Sequence, residues 1–170
     1  MSNKPQEIKN SLFLRLAGLS GVLGSVLPLV MVLSATFFST WFSWNENALS
    51  ELGVGEQATL FNSAILIGGA LNLLFGLGLY KYFSGEKLIK SGVTSIILSS
   101  ISLALVGVFT VDYQIPHGLA AFGYFMLSPT GFLLIAFGTK EGIIRKEQKG
   151  FSDPEVFERE LKNLISELLN

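Results

Sequence analysis

Cysteine, histidine and charged side chains are scarce in this sequence of 170 residues. The chain has no Cys, which excludes disulfides, thiolate metal sites and cysteine nucleophiles. Its single His excludes bis-histidine haem ligation and a multi-histidine zinc site within one chain. Charged residues make up 15%, well below the roughly one quarter usual for soluble domains. The net charge of −1 provides no basic field, so we expect no nucleic-acid partner.

Long stretches without any charge identify the solvent as lipid. Each stretch has at least 21 residues, and about 20 helical residues cross a hydrocarbon core. They predict transmembrane helices at about 16–38, 58–80, 91–111 and 118–138. The first apolar run exceeds the roughly 7–15 residues of a signal-peptide core, so we interpret it as an uncleaved anchor. The predicted fold is an all-α, antiparallel four-helix bundle integral to the membrane, formed by residues 1–140.

The basic residues are confined to segments that the predicted helices place on one side of the membrane. The loops that follow the first and third predicted helices contain no Lys or Arg, although the chain has 12 such residues. Basic residues accumulate on the cytoplasmic side of membrane proteins. We therefore expect a multi-pass protein of the cell membrane with both termini cytoplasmic. The loop 41–57 and the turn Asp112–His117 would then face outward.

The C-terminal segment 141–170 predicts a separate cytosolic tail. The sequence SDPE at Ser152–Glu155 fits a capping box with Pro in the first helical turn. Apolar residues at helical spacing follow and predict an amphipathic helix at about 153–169. This helix would pair with a protein partner or a second copy of the chain, or lie on the inner leaflet. The apolar positions are Phe157, Leu161, Leu164, Ile165 and Leu168.

Polar residues inside the predicted helices allow two interpretations. Helix two contains Asn72, helix three has Ser residues at 91, 95, 99 and 102, and helix four has Ser128–Thr130 around Pro129. Small and polar residues of this kind commonly form helix–helix contacts. Alternatively, Asn72, the Ser stripe and a kink at Pro129 surround a polar cavity, as in a small-solute carrier. No Asp, Glu, Lys or Arg lies in these segments.

The outer loops hold the remaining chemical candidates, Glu51, Asp112 and His117. Carboxylates and an imidazole are ligands for a divalent cation, whose bound water can attack a lipid headgroup ester. In the alternative interpretation, Glu51 and His117 satisfy backbone groups where the two loops pack together. Within the first loop, Asn47 is expected to cap a helical turn at 48–52 that Gly53 ends in a left-handed conformation.

Two sequence motifs resemble a known membrane family. The segment ALSELGVGEQATLFNSAILIGGALNL is followed about thirty residues later by LVGVFTVDYQIPHGLAAFGYF. Together they resemble the family called domain of unknown function 998, over roughly Leu12 to Gly138. This chain has Thr110 where that family usually has Pro, and a polar tail where we expect two further helices. The matching positions are Ser50, Glu51, Leu52, Gly53, Phe61, Asn62, Gly107, Phe109, Asp112 and His117.

The resemblance favours joint action of the SELG and LFN motifs and His117, but that family has no assigned activity. Our leading hypothesis is a non-enzymatic membrane protein that binds lipid or a partner through its outer end, without a cofactor. A metal-assisted enzyme acting on lipid headgroups and a small-solute carrier are the alternatives. The candidate binding residues are Ser50, Glu51, Asn62, Asn72, Asp112 and His117, and Glu51, Asp112 and His117 are also the catalytic and metal candidates.

Overall fold

The computed structural model describes residues 4–83 and 87–152, which form helices joined by short connections, with no strand among them. Four helices are long and apolar enough to cross a membrane. A short 3-10 helix, η1, lies between the first two. The elements are α1 Lys4–Phe38, η1 Leu49–Gly53, α2 Ala58–Tyr82, α3 Lys87–Val108 and α4 Gln114–Ser152. The amphipathic helix expected at about 153–169 lies outside the described residues.

Helix α3 ends at Val108, three residues before the expected boundary. The Phe109 N–H still donates to the Leu105 carbonyl, 2.8 Å away, but the chain then enters a turn. In that turn the Tyr113 N–H donates to the Thr110 carbonyl at 2.9 Å. The β-branched Thr110 and Val111 therefore belong to the connection between α3 and α4, although their apolar character resembles that of the helix.

The helices pack in chain order, α1 on α2, α2 on α3 and α3 on α4. Neighbours are antiparallel, and glycines bring their backbones close together. A Cβ added to Gly69 of α2 would lie 2.6 Å from the Ala104 nitrogen of α3. One added to Gly92 of α3 would lie 2.7 Å from the Gly131 carbonyl oxygen of α4. Small residues provide this close approach in membrane helices, where van der Waals packing drives association.

Two prolines lie beyond the first turn of a membrane-span helix, and both helices are continuous through them. Pro28 is part of α1 and Pro129 is part of α4, so the helix is not interrupted at Ser128–Thr130. The Thr130 hydroxyl donates to the Met126 carbonyl at 2.7 Å. Hydroxyl side chains of this kind help to satisfy backbone groups near a proline in a membrane helix. In α1, the Pro28 ring lies against Gly68 of α2.

The two ends of the four packed helices differ in their charged residues. We call the end formed by the connections 39–57 and 109–113 the acidic end, because its charged residues are Glu46, Glu51, Glu56 and Asp112. Antiparallel packing places every Lys and Arg of the described residues at the opposite end. There the Lys81 ammonium lies 5.0 Å from the centre of the Phe13 ring.

Candidate functional site

A cleft of about 1170 Å³ lies between α1 and α4. It exists because the described residues form no α1–α4 interface comparable to the three sequential ones. Helices α2 and α3 form its floor, and η1 borders it at the acidic end. The volume exceeds the roughly 300–1,000 Å³ of pockets for small ligands. Lining residues include Gly18, Val22, Val26 and Leu29 of α1, Phe75 of α2, Leu103 of α3, and Phe125 and Phe132 of α4.

The lining of the cleft is mainly apolar and contains no Asp, Glu, Lys or Arg. Ser50 and His117 line it near the acidic end, and Asn72, Tyr124 and Ser128 line it further along the helices. The α4 lining residues 117, 121, 124, 128 and 132 recur at three- and four-residue spacing, which places them on one helix face. The same spacing in the sequence is a signal for Ala121 and Tyr124, which are not among the predicted site residues.

Asn72 and the serines of α3 differ in how their polar groups are satisfied. Ser99 and Ser100 are buried, and both hydroxyls donate to the Ile96 carbonyl at 2.8 Å. Asn72 is half-buried, lies against Gly24 of α1, and makes no hydrogen bond within the described part of the chain. Asn72, Ser99 and Ser128 line one cleft, whereas Ser91, Ser95 and Ser102 of the predicted stripe are not among its lining residues. The Asn72 carboxamide is left available to an occupant of that cleft.

At the acidic end, η1 is anchored by an apolar contact and by Glu51. The Leu52 side chain is fully buried and packs against Ala35 of α1 and Phe61 of α2. One Glu51 oxygen accepts the Ala48 N–H and the other accepts the Asn47 Nδ2–H, each at 2.9 Å. These bonds give Glu51 a structural role that holds the start of η1.

Two expectations about this turn were wrong. Ala48, and not Asn47, is the residue that precedes η1, because Glu51 reaches back to the Ala48 N–H. The Asn47 side chain instead accepts the Ser43 N–H at 2.9 Å. Gly53 does not adopt a left-handed conformation. Its lack of a side chain serves a close contact, since a Cβ there would lie 2.7 Å from Asn62 Oδ1.

Asn62 joins the SELG and LFN motifs directly. Its Nδ2 donates to the Gly53 carbonyl oxygen at 2.8 Å, and the connection spans nine residues. The Asn62 carbonyl in turn lies close to Gly107 of α3, where a Cβ would be 2.9 Å away. One residue of α2 thus contacts both η1 and the end of α3. This explains why Gly53, Asn62 and Gly107 occur together in the motifs.

His117 fastens the connection between α3 and α4. Its Nδ1 lies 2.7 Å from the carbonyl oxygen of Phe109, the residue that follows α3. A carbonyl oxygen only accepts, so Nδ1 carries the hydrogen. His117 also lines the cleft, and Nε2 has no protein partner in the described residues. The imidazole therefore closes the turn with one nitrogen and leaves the other for the cleft.

Glu51, Asp112 and His117 are not brought together as a metal site. Within the residues that the structure describes, no group of three or more His, Cys, Asp or Glu side chains is arranged to hold a metal ion. Glu51 bonds to Asn47 and Ala48, His117 bonds to Phe109, and Asp112 is exposed. The bonds of Glu51 and His117 to backbone groups agree with the alternative interpretation of these two residues.

The four helices are long and apolar enough to span a bilayer, and α1 and α4 have exposed apolar faces. The chain is therefore a multi-pass membrane protein. Residues 22–147 match the family model described as "Protein of unknown function (DUF998)". The match covers most of the chain, so the protein belongs to this family, as its motifs predicted. No curated protein and no solved structure matches the chain.

Proposed function

We propose that this protein binds one membrane lipid, which enters the cleft sideways from the bilayer between α1 and α4. The observation that carries the proposal is the cleft itself, an apolar cavity of about 1170 Å³ bordered by two membrane-spanning helices. Its polar lining at the acidic end, Ser50 and His117, would meet the headgroup. No covalent step is needed for such a role.

The length of the cleft supports a lipid over a compact ligand. On α4 the lining runs from His117 to Phe132, and on α1 from Gly18 to Val32. At 1.5 Å per residue, each wall is roughly 21–22 Å long. Half of a hydrocarbon core about 30 Å thick is about 15 Å. An acyl chain anchored at the acidic end therefore finds an apolar wall along its whole leaflet.

The chemistry of the lining also favours a lipid over a protein helix or a second copy of the chain. Most of its walls are aliphatic and aromatic, Ser50 and His117 are its polar residues at the acidic end, and the other polar lining residues are uncharged: Ser25, Asn72, Ser99, Ser100, Tyr124 and Ser128. A mainly apolar wall with two polar residues at the acidic end suits an amphiphile.

Blocking the cleft tests the proposal. Ala121 lines the cleft, whereas Ala136 is exposed on the same helix outside the lining. We expect Ala121→Trp to reduce the lipid that remains with purified protein, and Ala136→Trp to leave it unchanged. Native mass spectrometry counts the bound lipid in both variants. Equal lipid retention by the two variants and the wild type would contradict binding in this cleft.

A small-solute carrier is a second candidate, because Asn72, Tyr124 and Ser128 line the cleft without a hydrogen-bond partner in the described residues. Such groups could replace part of a solute's hydration shell. If the protein is a carrier, Asn72→Leu should lower solute flux into proteoliposomes. Unchanged flux, or no flux in the wild type, removes this candidate and leaves lipid binding intact.

A further inference from the structure

Resting on the proposed lipid binding, we infer that the cleft selects an uncharged lipid with a free hydroxyl, which donates a hydrogen bond to His117 Nε2. The ligand class is a neutral lipid alcohol, of which diacylglycerol is the simplest probe. This assignment concerns the headgroup alone. It depends on the tautomer of His117 and on the distribution of charge around the cleft.

The tautomer follows from one contact. His117 Nδ1 lies 2.7 Å from the Phe109 carbonyl oxygen, which has no hydrogen to give. In neutral imidazole one ring nitrogen is a donor and the other an acceptor. With the hydrogen on Nδ1, Nε2 of the neutral ring is an acceptor, and its hydrogen-bond partner in the cleft would be a donor. A hydroxyl supplies one without charge, whereas the phosphodiester and ester oxygens of a phospholipid do not donate, and the hydroxyl or ammonium donors of phospholipid headgroups come with a charged phosphate.

The charge distribution excludes an anionic headgroup. No Lys or Arg occurs in the cleft lining or in the connections of the acidic end. The charged side chains at that end are carboxylates, Glu46, Glu51, Glu56 and Asp112. A phosphate placed beside Ser50 and His117 would lack a counter-ion and lie near like charges. A cationic headgroup would also lack an ion partner in the lining, since Glu51 is not among the lining residues.

Ser50 completes the polar end of the cleft. It lines the same cleft, is half-buried, and its hydroxyl both donates and accepts. Ser50 is therefore a second hydrogen-bonding group for the polar part of a lipid at this end of the cleft. The opposite side of the lipid, its acyl chains, then lies along the apolar walls of α1 and α4.

The test compares diacylglycerol with its 3-O-methyl ether, which has the same chains but no hydroxyl hydrogen. Full-length protein in nanodiscs is titrated with each lipid and with chain-matched phosphatidylglycerol. We expect wild-type protein to prefer diacylglycerol to the ether by about fivefold to tenfold, the worth of one hydrogen bond. Phosphatidylglycerol should bind more weakly than either.

His117→Asn is the matched variant, because its Nδ2 can keep the bond to the Phe109 carbonyl while the acceptor Nε2 is removed. We expect it to bind diacylglycerol and the ether equally, with an unchanged apparent Tm. Equal binding of both lipids by the wild type, or preference for phosphatidylglycerol, would overturn the headgroup assignment alone. If His117→Asn loses the preference for diacylglycerol over the ether but also has a lower apparent Tm, the effect of His117 is structural. If no lipid binds in any headgroup form, the proposed function fails as well.

Discussion

The three packed interfaces and the open cleft are built from the same residue types but differ in what the small residues face. At the interfaces, Gly69 and Gly92 meet the backbone of the next helix at distances that exclude a side chain. In the cleft, Gly18 has nothing within 4 Å of an added Cβ. Gly69 and Gly92 thus allow close packing between helices, whereas Gly18 leaves open space in the cleft. Whether a glycine packs against a backbone or faces open space therefore depends on its position relative to the neighbouring helix, and not on residue type.

The largest difference in unfolding free energy is expected between alanine at an interface glycine and alanine at a cleft glycine. Gly69→Ala places a methyl group 2.6 Å from the Ala104 nitrogen, so α2 and α3 must separate. We expect a loss of about 2 kcal/mol in unfolding free energy, typical of overpacking. Gly18→Ala meets no atom and should gain up to about 1 kcal/mol from helix propensity. Thermal unfolding in detergent measures both, and equal shifts would remove the distinction between interface and cleft.

Replacing the two asparagines of α2 by leucine compares a side chain that is hydrogen-bonded within the described residues with one that is not. Asn62→Leu removes the bond to the Gly53 carbonyl and should cost about 1–2 kcal/mol, because that carbonyl loses its partner. Asn72→Leu removes no protein hydrogen bond and replaces a polar group that faces the cleft. We expect it to leave the protein equally or more stable. Destabilisation by Asn72→Leu as large as that of Asn62→Leu would indicate that the cleft is a closed interface.

The smallest difference in unfolding free energy is expected between alanine variants of two carboxylates at the acidic end. Glu51→Ala removes the acceptor of the Ala48 N–H and should cost about 1 kcal/mol, as loss of a helix cap does. Glu46 is exposed, so Glu46→Ala should produce no measurable change in the same unfolding assay. A similar effect of both variants would contradict the structural role of Glu51.

Much of the fold could be predicted because apolar runs of membrane length specify helices through local composition. The motifs also indicated that η1, Asn62 and His117 belong together, and the Asn62–Gly53 bond joins two of them. The sequence allowed a polar cavity near Asn72, but its position between α1 and α4 could not be predicted, since it depends on the absence of an α1–α4 interface and no local pattern encodes that. Residue type alone also groups Glu51 with His117, although each side chain is hydrogen-bonded to a different backbone group.

Photolabelling offers the most direct test of the cleft as a lipid site. Phe75 and Leu103 line it, whereas Leu74 and Leu98, on the same two helices, are exposed outside it. Purified protein is loaded with a photoactivatable diacylglycerol at low molar ratio, irradiated, and mapped by peptide mass spectrometry. We expect adducts at Phe75 and Leu103 that excess unlabelled diacylglycerol suppresses. Adducts confined to Leu74 and Leu98, insensitive to competition, would contradict the account.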